Sequence, residues 1–146
     1  MAPRGDAKVT YRPSRGKRGA QAALEDYVEM INHLIKEKGF ASQAEIAERL
    51  GVSPPSVTSM LRKLRDKGYV IHERYRGVSL TENGKKLAER MEVRHIMLAE
   101  FLTVIGVDKK TAYEDAENIE HYLHPATVEK ISQLLKALKK GEIKSG

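Results

Sequence analysis

Six carboxylate and imidazole side chains of the types that bind metal ions stand in three separate segments of this chain. In the first segment two carboxylates lie three positions apart, and in the last two carboxylates and a histidine stand at i, i+3 and i+4, so a helix would project each set from one face. The middle segment contributes one histidine. The six candidate metal ligands are Asp26, Glu29, His95, Glu117, Glu120 and His121.

The donor set itself indicates the kind of ion. The chain contains no cysteine, which excludes disulfides, thiolate zinc sites and cysteine nucleophiles. Carboxylates and imidazoles without a thiolate suit a hard divalent cation in six-coordinate geometry, and Mn(II) fits them better than a soft metal. An acidic helix face is also typical of a solvated surface, and the spacing does not show that the three segments meet. On spacing alone both interpretations stay open.

The same residues give little support for an enzyme. Residues 117–121 read E-x-x-E-H, with Glu117 at the position where a metalloprotease motif has histidine. A di-iron oxidase uses two Glu-x-x-His pairs; Glu92 and His95 supply one, and no second appears. We therefore expect no catalytic activity, with a carboxylate-bridged di-metal enzyme as the minor alternative.

The sequence predicts three helices in the first part of the chain, and a short turn joins the second to the third. Apolar residues recur at three- and four-residue spacing from Leu24, and Gly39 ends this first helix. Ser42 can cap a second helix, Gly51 opens a tight turn, and Ser53 can cap a third helix that ends at Lys67-Gly68. Two short helices joined by a glycine-containing turn are typical of a helix-turn-helix.

A hairpin and three further helices are predicted next. Residues 69–74 and 78–80 resemble short strands joined by a tip at 75–77. Helices follow from Thr81 to about Ile105, from 107 to about 123, and from 125 to about 140. The predicted fold class is mainly α: a winged helix-turn-helix followed by an all-helical dimerisation domain. The expected boundaries are a disordered basic arm over 1–20, the DNA-binding domain over 21–80, and the linking helix with the dimerisation and metal-binding domain over 81–146.

The local charge and the third helix favour DNA as a partner. The net charge is +6, and the basic excess lies in residues 1–20 and 41–80, whereas residues 81–146 carry equal numbers of acidic and basic side chains. Small hydroxyl side chains near the start of the third helix and arginines beside the wing tip suit contacts to bases and phosphates. Winged helices also serve as protein-binding modules, which is one alternative. The other is a winged-helix DNA-binding regulator that does not depend on a metal. The candidate DNA-contacting residues are Ser53, Pro55, Ser56, Thr58, Ser59, Arg62, Arg74 and Arg76.

The last helices carry more apolar surface than one small layer needs, which predicts a homodimer; the alternative is packing within one chain. No apolar run of membrane-spanning length and no signal-peptide core occur, so we expect a cytoplasmic protein without a membrane partner. The surplus apolar residues are Ile119, Leu123, Val128, Ile131, Leu134, Leu135 and Leu138.

From Leu24 to Lys140 the chain resembles the manganese-responsive branch of the diphtheria toxin repressor family. LEDYVEMI is similar to that family's first helix, and IAERLGVSPPSVTSMLRKL to its helix-turn-helix. YRGVSLTENGKKLAERMEVRHIMLAEFL resembles its wing and linking helix, and AENIEHYL its ligand-bearing helix. The ligand segments match in order and spacing.

The resemblance implies a regulator that binds a palindromic operator as a homodimer and represses manganese-uptake genes when Mn(II) is plentiful. It also implies two Mn(II) ions per subunit. The second ion would be held by the Glu117 carboxylate and His121, with Glu29 and Glu120 bridging both ions. The first would be held by the backbone carbonyl of Glu117 and by the side chains of Asp26, Glu29, His95 and Glu120.

Two positions matter for how far the resemblance extends. Asp26 is the residue of the manganese-responsive branch, where the iron-responsive branch has methionine. Ser59 stands where several relatives carry a longer side chain, so the resemblance does not extend to the DNA sequence that is read. We also expect no SH3-like third domain, which the iron-responsive relatives have.

Overall fold

The computed structural model describes residues 17–141, so most of the predicted basic arm lies outside the described residues. The first helix, α1 (Lys17–Lys38), begins seven positions before Leu24, where the apolar period starts. Residues 17–20 are therefore helical, and the prediction that they belong to a disordered arm is wrong. The segment just before Leu24 is rich in alanine and glutamine, which favour helix without contributing a strong apolar period.

The next two helices begin where the capping residues predicted. The side chain of Ser42 accepts a hydrogen bond from the backbone N–H of Glu45 at the start of α2 (Gln43–Leu50). Gly51 ends that helix with φ of +65°, a conformation that glycine adopts without strain. Ser53 caps α3 (Pro54–Asp66), the predicted recognition helix.

The wing is a two-stranded antiparallel hairpin. β1 (Val70–Glu73) pairs with β2 (Gly77–Leu80), with Val70 opposite Leu80 and Glu73 opposite Gly77. Ala41 forms an isolated bridge with Val78, which attaches the hairpin to the segment between α1 and α2. The strands agree with the prediction to within about one residue at each end.

Three helices complete the described chain: α4 (Glu82–Val104), α5 (Lys109–Ile119) and α6 (Pro125–Lys139). Helix α5 ends four residues earlier than predicted. Glu120 follows it as the C-terminal cap with helical backbone angles, and His121 lies in the turn that leads to α6. The spacing of apolar residues indicated a longer helix, but the turn before Pro125, the first residue of α6, ends α5 earlier.

One hydrophobic core joins the winged helix to α4. It contains the inward faces of α1, α2 and α3 and both strands, and α4 adds Leu87, Ala88 and Met91. Among the described residues, α5 and α6 contribute nothing to this cluster. The first half of α4 is thus fixed to the DNA-binding half by apolar packing, whereas the end of α5 reaches α1 by polar side chains.

Much of the apolar surface of the last helices remains uncovered within one chain. Of the seven residues expected at a dimer interface, only Leu135 is buried, and the other six are partly exposed, by at most 39%. This exposure favours burial against a second copy over packing within one chain. In the part of the chain that the structure describes, each helix is too short or too polar to cross a bilayer.

Gly84 in the first turn of α4 gives a test of this packing. A Cβ at that position would overlap the carbonyl oxygen of Tyr69 and lie 3.2 Å from Cδ2 of Leu80. Glycine to alanine in a helix ordinarily stabilises by about 0.5–1 kcal/mol, but here we expect Gly84→Ala to lower the free energy of unfolding by about 1–3 kcal/mol. Urea unfolding measures the difference. Asn83→Ala, at the exposed neighbouring position, is the control, and a stabilised Gly84→Ala protein would contradict this packing.

Candidate metal centre

The first helix presents two carboxylates to a cleft between the two halves of the chain. Asp26 and Glu29 lie one turn apart on α1, and both remain partly exposed. The cleft is also lined by His95 from α4 and by Glu117 and His121 from α5 and the turn after it. The three segments that the sequence set apart therefore meet, which spacing alone left open.

His121 lies at the centre of this cluster. Its Nε2 atom is 3.2 Å from Oδ1 of Asp26 and 3.1 Å from Oε2 of Glu29. The same nitrogen is 3.2 Å from Oε1 of Glu120. One ligand atom each from Asp26, Glu29 and His121 lies within 4.8 Å of the others, a separation that allows one ion to contact all three.

Glu120 and His95 are the buried members. Glu120 is 0% exposed, and its Oε2 is 3.9 Å from Nδ1 of His95. Among the described residues, neither oxygen of Glu120 and neither nitrogen of His95 makes a hydrogen bond. The ring of Tyr113 packs edge-on against His95 at 4.4 Å between centroids. Buried oxygen and nitrogen atoms without hydrogen bonds suit a metal site, because a cation can bind to their lone pairs.

Glu117 lies at the rim. It is exposed on α5, lines the same cleft, and no ion pair joins it to the other candidate ligands within the described residues. Burial raises the pKa of Asp26, and the negative charges of Glu29, Glu25 and Glu117 raise it further, against the lowering effect of His121. Glu117 therefore acts on the cluster through its charge in this structure.

The crowded carboxylates change the pKa values of Glu120 and His121. Burial, followed by the charge of Glu29, raises the pKa of Glu120 from 4.5 to about 8. Burial acts to lower the pKa of His121, but hydrogen bonds to Glu25 and Glu29 and the charges of Glu120 and Asp26 raise it from 6.5 to about 10. At neutral pH the metal-free cluster thus holds protons where a cation would bind.

Two residues of this site were missed by the sequence reasoning. Glu25 is 3% exposed, and its Oε1 is 3.3 Å from Nδ1 of His121 and 3.2 Å from Nη2 of Arg94. Burial acts to raise the pKa of Glu25, but its hydrogen bond with His121 and the charge of Arg94 outweigh burial and lower it. A signal was present: Glu25 stands three positions after Ala22 and three before Val28, so the helical period places a charge on the buried face.

The candidate DNA-contacting side chains are all exposed. The Ser53 and Ser56 hydroxyls are 2.8 Å apart, and the Thr58 hydroxyl donates to the carbonyl of Pro54. Arg74 lies over the ring of Tyr75 at 5.7 Å. Within the part of the chain that the structure describes, Arg62 is exposed on α3 and forms no ion pair, so its guanidinium is available to a phosphate or a base.

A winged helix-turn-helix joined to a helical domain, with a carboxylate and histidine cluster across the two parts, defines a metal-dependent DNA-binding regulator. Residues 21–78 match the family described as "Iron dependent repressor, N-terminal DNA binding domain". Residues 81–142 match "Iron dependent repressor, metal binding and dimerisation domain". The chain belongs to the iron-dependent repressor family, a family of homodimeric DNA-binding repressors and not of enzymes.

Curated relatives and solved structures agree with this family. The "HTH-type transcriptional regulator MntR" of Bacillus pumilus is 44% identical over 123 residues, which cover 84% of this chain and 85% of that protein. MntR of Bacillus subtilis is 47% identical over 113 residues, covering 77% of this chain and 80% of its own. The solved "Manganese-activated Repressor ScaR" is 32% identical with a TM-score of 0.65, and the match covers 75% of this chain and 53% of that longer one. The resemblance found from the sequence is confirmed.

Proposed function

We propose that this protein is an Mn(II)-activated repressor that acts in the cytoplasm on manganese-uptake genes. The observation that carries the proposal is the cluster around His121, in which side chains of α1 in the DNA-binding half meet Glu120 and His121 at the end of α5. The relatives named as manganese-activated or as MntR support the choice of metal and the direction of regulation.

We further propose two Mn(II) ions per subunit. Glu29 and Glu120 would bridge the ions, and the Glu117 carboxylate and His121 would complete the second site. The Glu117 carbonyl would join the first site, together with the side chains of Asp26, Glu29, His95 and Glu120. The unsatisfied buried oxygens of Glu120 and nitrogens of His95 support this set, because a cation supplies what they lack.

The ions would act on DNA affinity through the geometry of the dimer. When bound, the metal supplies positive charge that offsets the mutual repulsion of the carboxylates. The chain's own side chains then hold α1 to the end of α5, which fixes the winged helix relative to the dimerisation helices. Two recognition helices spaced at about 34 Å can enter successive major grooves. By linkage, DNA raises metal affinity as much as metal raises DNA affinity.

The test is fluorescence anisotropy of a labelled duplex taken from upstream of a manganese transporter gene, titrated with protein at fixed ionic strength. With Mn(II) we expect tight binding, and with chelator binding at the level of a scrambled duplex. Equal affinity with Mn(II) and with chelator would exclude metal activation. Equal binding to both duplexes in Mn(II) would leave a DNA-binding protein whose operator is a different sequence.

Arg62 on α3 should contribute to DNA affinity without affecting the metal. If Arg62 binds a phosphate, Arg62→Ala is expected to weaken metal-activated DNA binding about tenfold and to reduce the salt slope by about one. The anisotropy titration, repeated at several salt concentrations, measures both. Lys130→Ala, an exposed lysine on α6, is the control for net charge. Equal losses in the two variants would remove Arg62 from the DNA interface.

A further inference from the structure

Glu25 and Arg94 form an ion pair behind the candidate metal site. Glu25 contacts the imidazole of His121 on the side away from the cleft. Both oxygens of Glu25 face Nη2 of Arg94, at 3.2 and 3.3 Å, and Oε1 is also 3.3 Å from Nδ1 of His121. The side chains of Glu25 and His121 are about as buried as the apolar core, at 4% and 5% exposed, and that of Arg94 is 17% exposed. The pair therefore lies behind the candidate metal site, not in it.

The geometry assigns opposite roles to the two nitrogens of His121. Nε2 faces Asp26 and Glu29, whereas Nδ1 faces Glu25. A carboxylate paired with a guanidinium accepts hydrogen bonds and does not donate them, so the proton between Glu25 and His121 belongs to Nδ1. Once the ring is neutral, as metal binding requires, a proton on Nδ1 leaves the lone pair on Nε2, which is the atom that faces the cleft.

We propose that Glu25 and Arg94 are positioning residues for the metal-binding imidazole of His121. Glu25 holds the ring by its Nδ1–H and directs Nε2 to the ion, and Arg94 holds Glu25. A second consequence follows from the topology, because Glu25 belongs to α1, Arg94 to α4 and His121 to the turn after α5. The same pair thus sets the position of the metal ligand relative to both halves of the chain. This inference rests on the proposed metal site.

The experiment measures Mn(II) affinity of the full chain by electron paramagnetic resonance of the free ion. Partners behind metal-binding histidines typically change affinity by about 10–100-fold. We expect Glu25→Ala to weaken binding by about that factor and Glu25→Gln, which keeps an acceptor oxygen, to lose less. The urea unfolding curve of each metal-free variant shows that it is folded at the temperature used.

A spectroscopic readout separates positioning from simple structural support. In Zn(II)-loaded protein labelled with ¹⁵N-histidine, we expect His121 bound through Nε2 with Nδ1 protonated. In Glu25→Ala the Nδ1–H signal should exchange faster with water or be lost. A residue that only supports the fold would change the unfolding curve and leave this signal as in the parent.

Glu100 provides the matched control. It is a glutamate of α4 that pairs with Lys139 of α6 at 2.6 Å, and neither residue is among those that line the cleft. Glu100→Ala and Glu100→Gln remove the same charge from an ion pair between helices, and we expect them to change affinity by less than about twofold. Folded Glu25→Ala with parent affinity and parent spectrum, or equal losses in the Glu100 variants, would overturn the proposal. Parent protein that binds no Mn(II) would instead refute the proposed function.

Discussion

Replacing Glu120 by glutamine is expected to weaken Mn(II) binding by at least about 100-fold, the upper end of what losing a residue behind a ligand costs. Metal-activated DNA binding should be abolished. Glu120 is the fully buried carboxylate of the cluster, lies 3.2 Å from Nε2 of His121 and 3.9 Å from Nδ1 of His95, and would bridge both ions. An amide of nearly the same shape has one oxygen and no charge, so it cannot bridge two cations. Isothermal titration calorimetry with Mn(II) and the anisotropy assay measure the two losses.

The same substitution should stabilise the metal-free protein. The raised pKa of Glu120 shows that the folded state disfavours its charge, and glutamine removes that cost. We expect the free energy of unfolding near pH 8 to rise by about 1–2 kcal/mol. Glu114→Gln, on the exposed side of α5, is the control and should change neither metal affinity nor stability. Full Mn(II) affinity in Glu120→Gln would contradict the assigned site, whatever its stability.

Apolar packing and the polar cluster join different pairs of elements, and this division explains how a metal could regulate the protein. Leu87, Ala88 and Met91 fix α4 to the winged-helix core without any ion. The end of α5, by contrast, contacts α1 through His121 and the carboxylates around it. A contact between carboxylates that repel each other is weak without a cation and strong with one. Metal binding would therefore act on the contact between α1 and the end of α5.

Much of the fold could be predicted from the sequence because it depends on local chemistry. Ser42 and Ser53 cap the helices for which they were predicted, and Gly51 adopts the positive φ that its turn requires. The apolar period from Leu24 onwards matches the buried face of α1. These features are set within a few residues, so no knowledge of the tertiary structure was needed.

The rest depended on contacts between segments that are distant in sequence. A helix to residue 123 was predicted from the apolar period, but the chain leaves α5 after Ile119, so Glu120 and His121 reach the cluster from a cap and a turn. Glu25 was passed over because its partners, Arg94 and His121, lie 69 and 96 residues away. The spacing of carboxylates in the sequence identified the candidate ligands. The residues that contact those ligands from behind depend on the tertiary structure and could not be found from spacing.

The stability gained from Mn(II) should grow with pH over the range in which the metal-free protein loses stability. Without metal, the raised pKa values of Glu120, from 4.5 to about 8, and His121, from 6.5 to about 10, mean that the folded state binds these protons more tightly than the unfolded state. The stability from Glu120 is complete below pH 4.5 and lost as pH rises through about 8. That from His121 is complete below pH 6.5 and lost as pH rises through about 10. Between pH 6.5 and 8 both contributions fall, so Tm of the metal-free protein should fall.

Mn(II) needs the same oxygens ionised and the same nitrogen unprotonated, so it competes with these protons and its affinity rises with pH. The increase in Tm on adding a fixed excess of Mn(II) should therefore grow from pH 6.5 to pH 8, as thermal unfolding with and without chelator under nitrogen will show. Calorimetry in two buffers of different ionisation enthalpy should detect protons released on binding. His33→Gln, which removes an exposed histidine that pairs with Glu37, should leave the trend unchanged, whereas Glu120→Gln should flatten it. A metal-induced increase in Tm that is constant with pH would mean that the ion does not displace protons from Glu120 and His121, and so does not bind where the carboxylates converge.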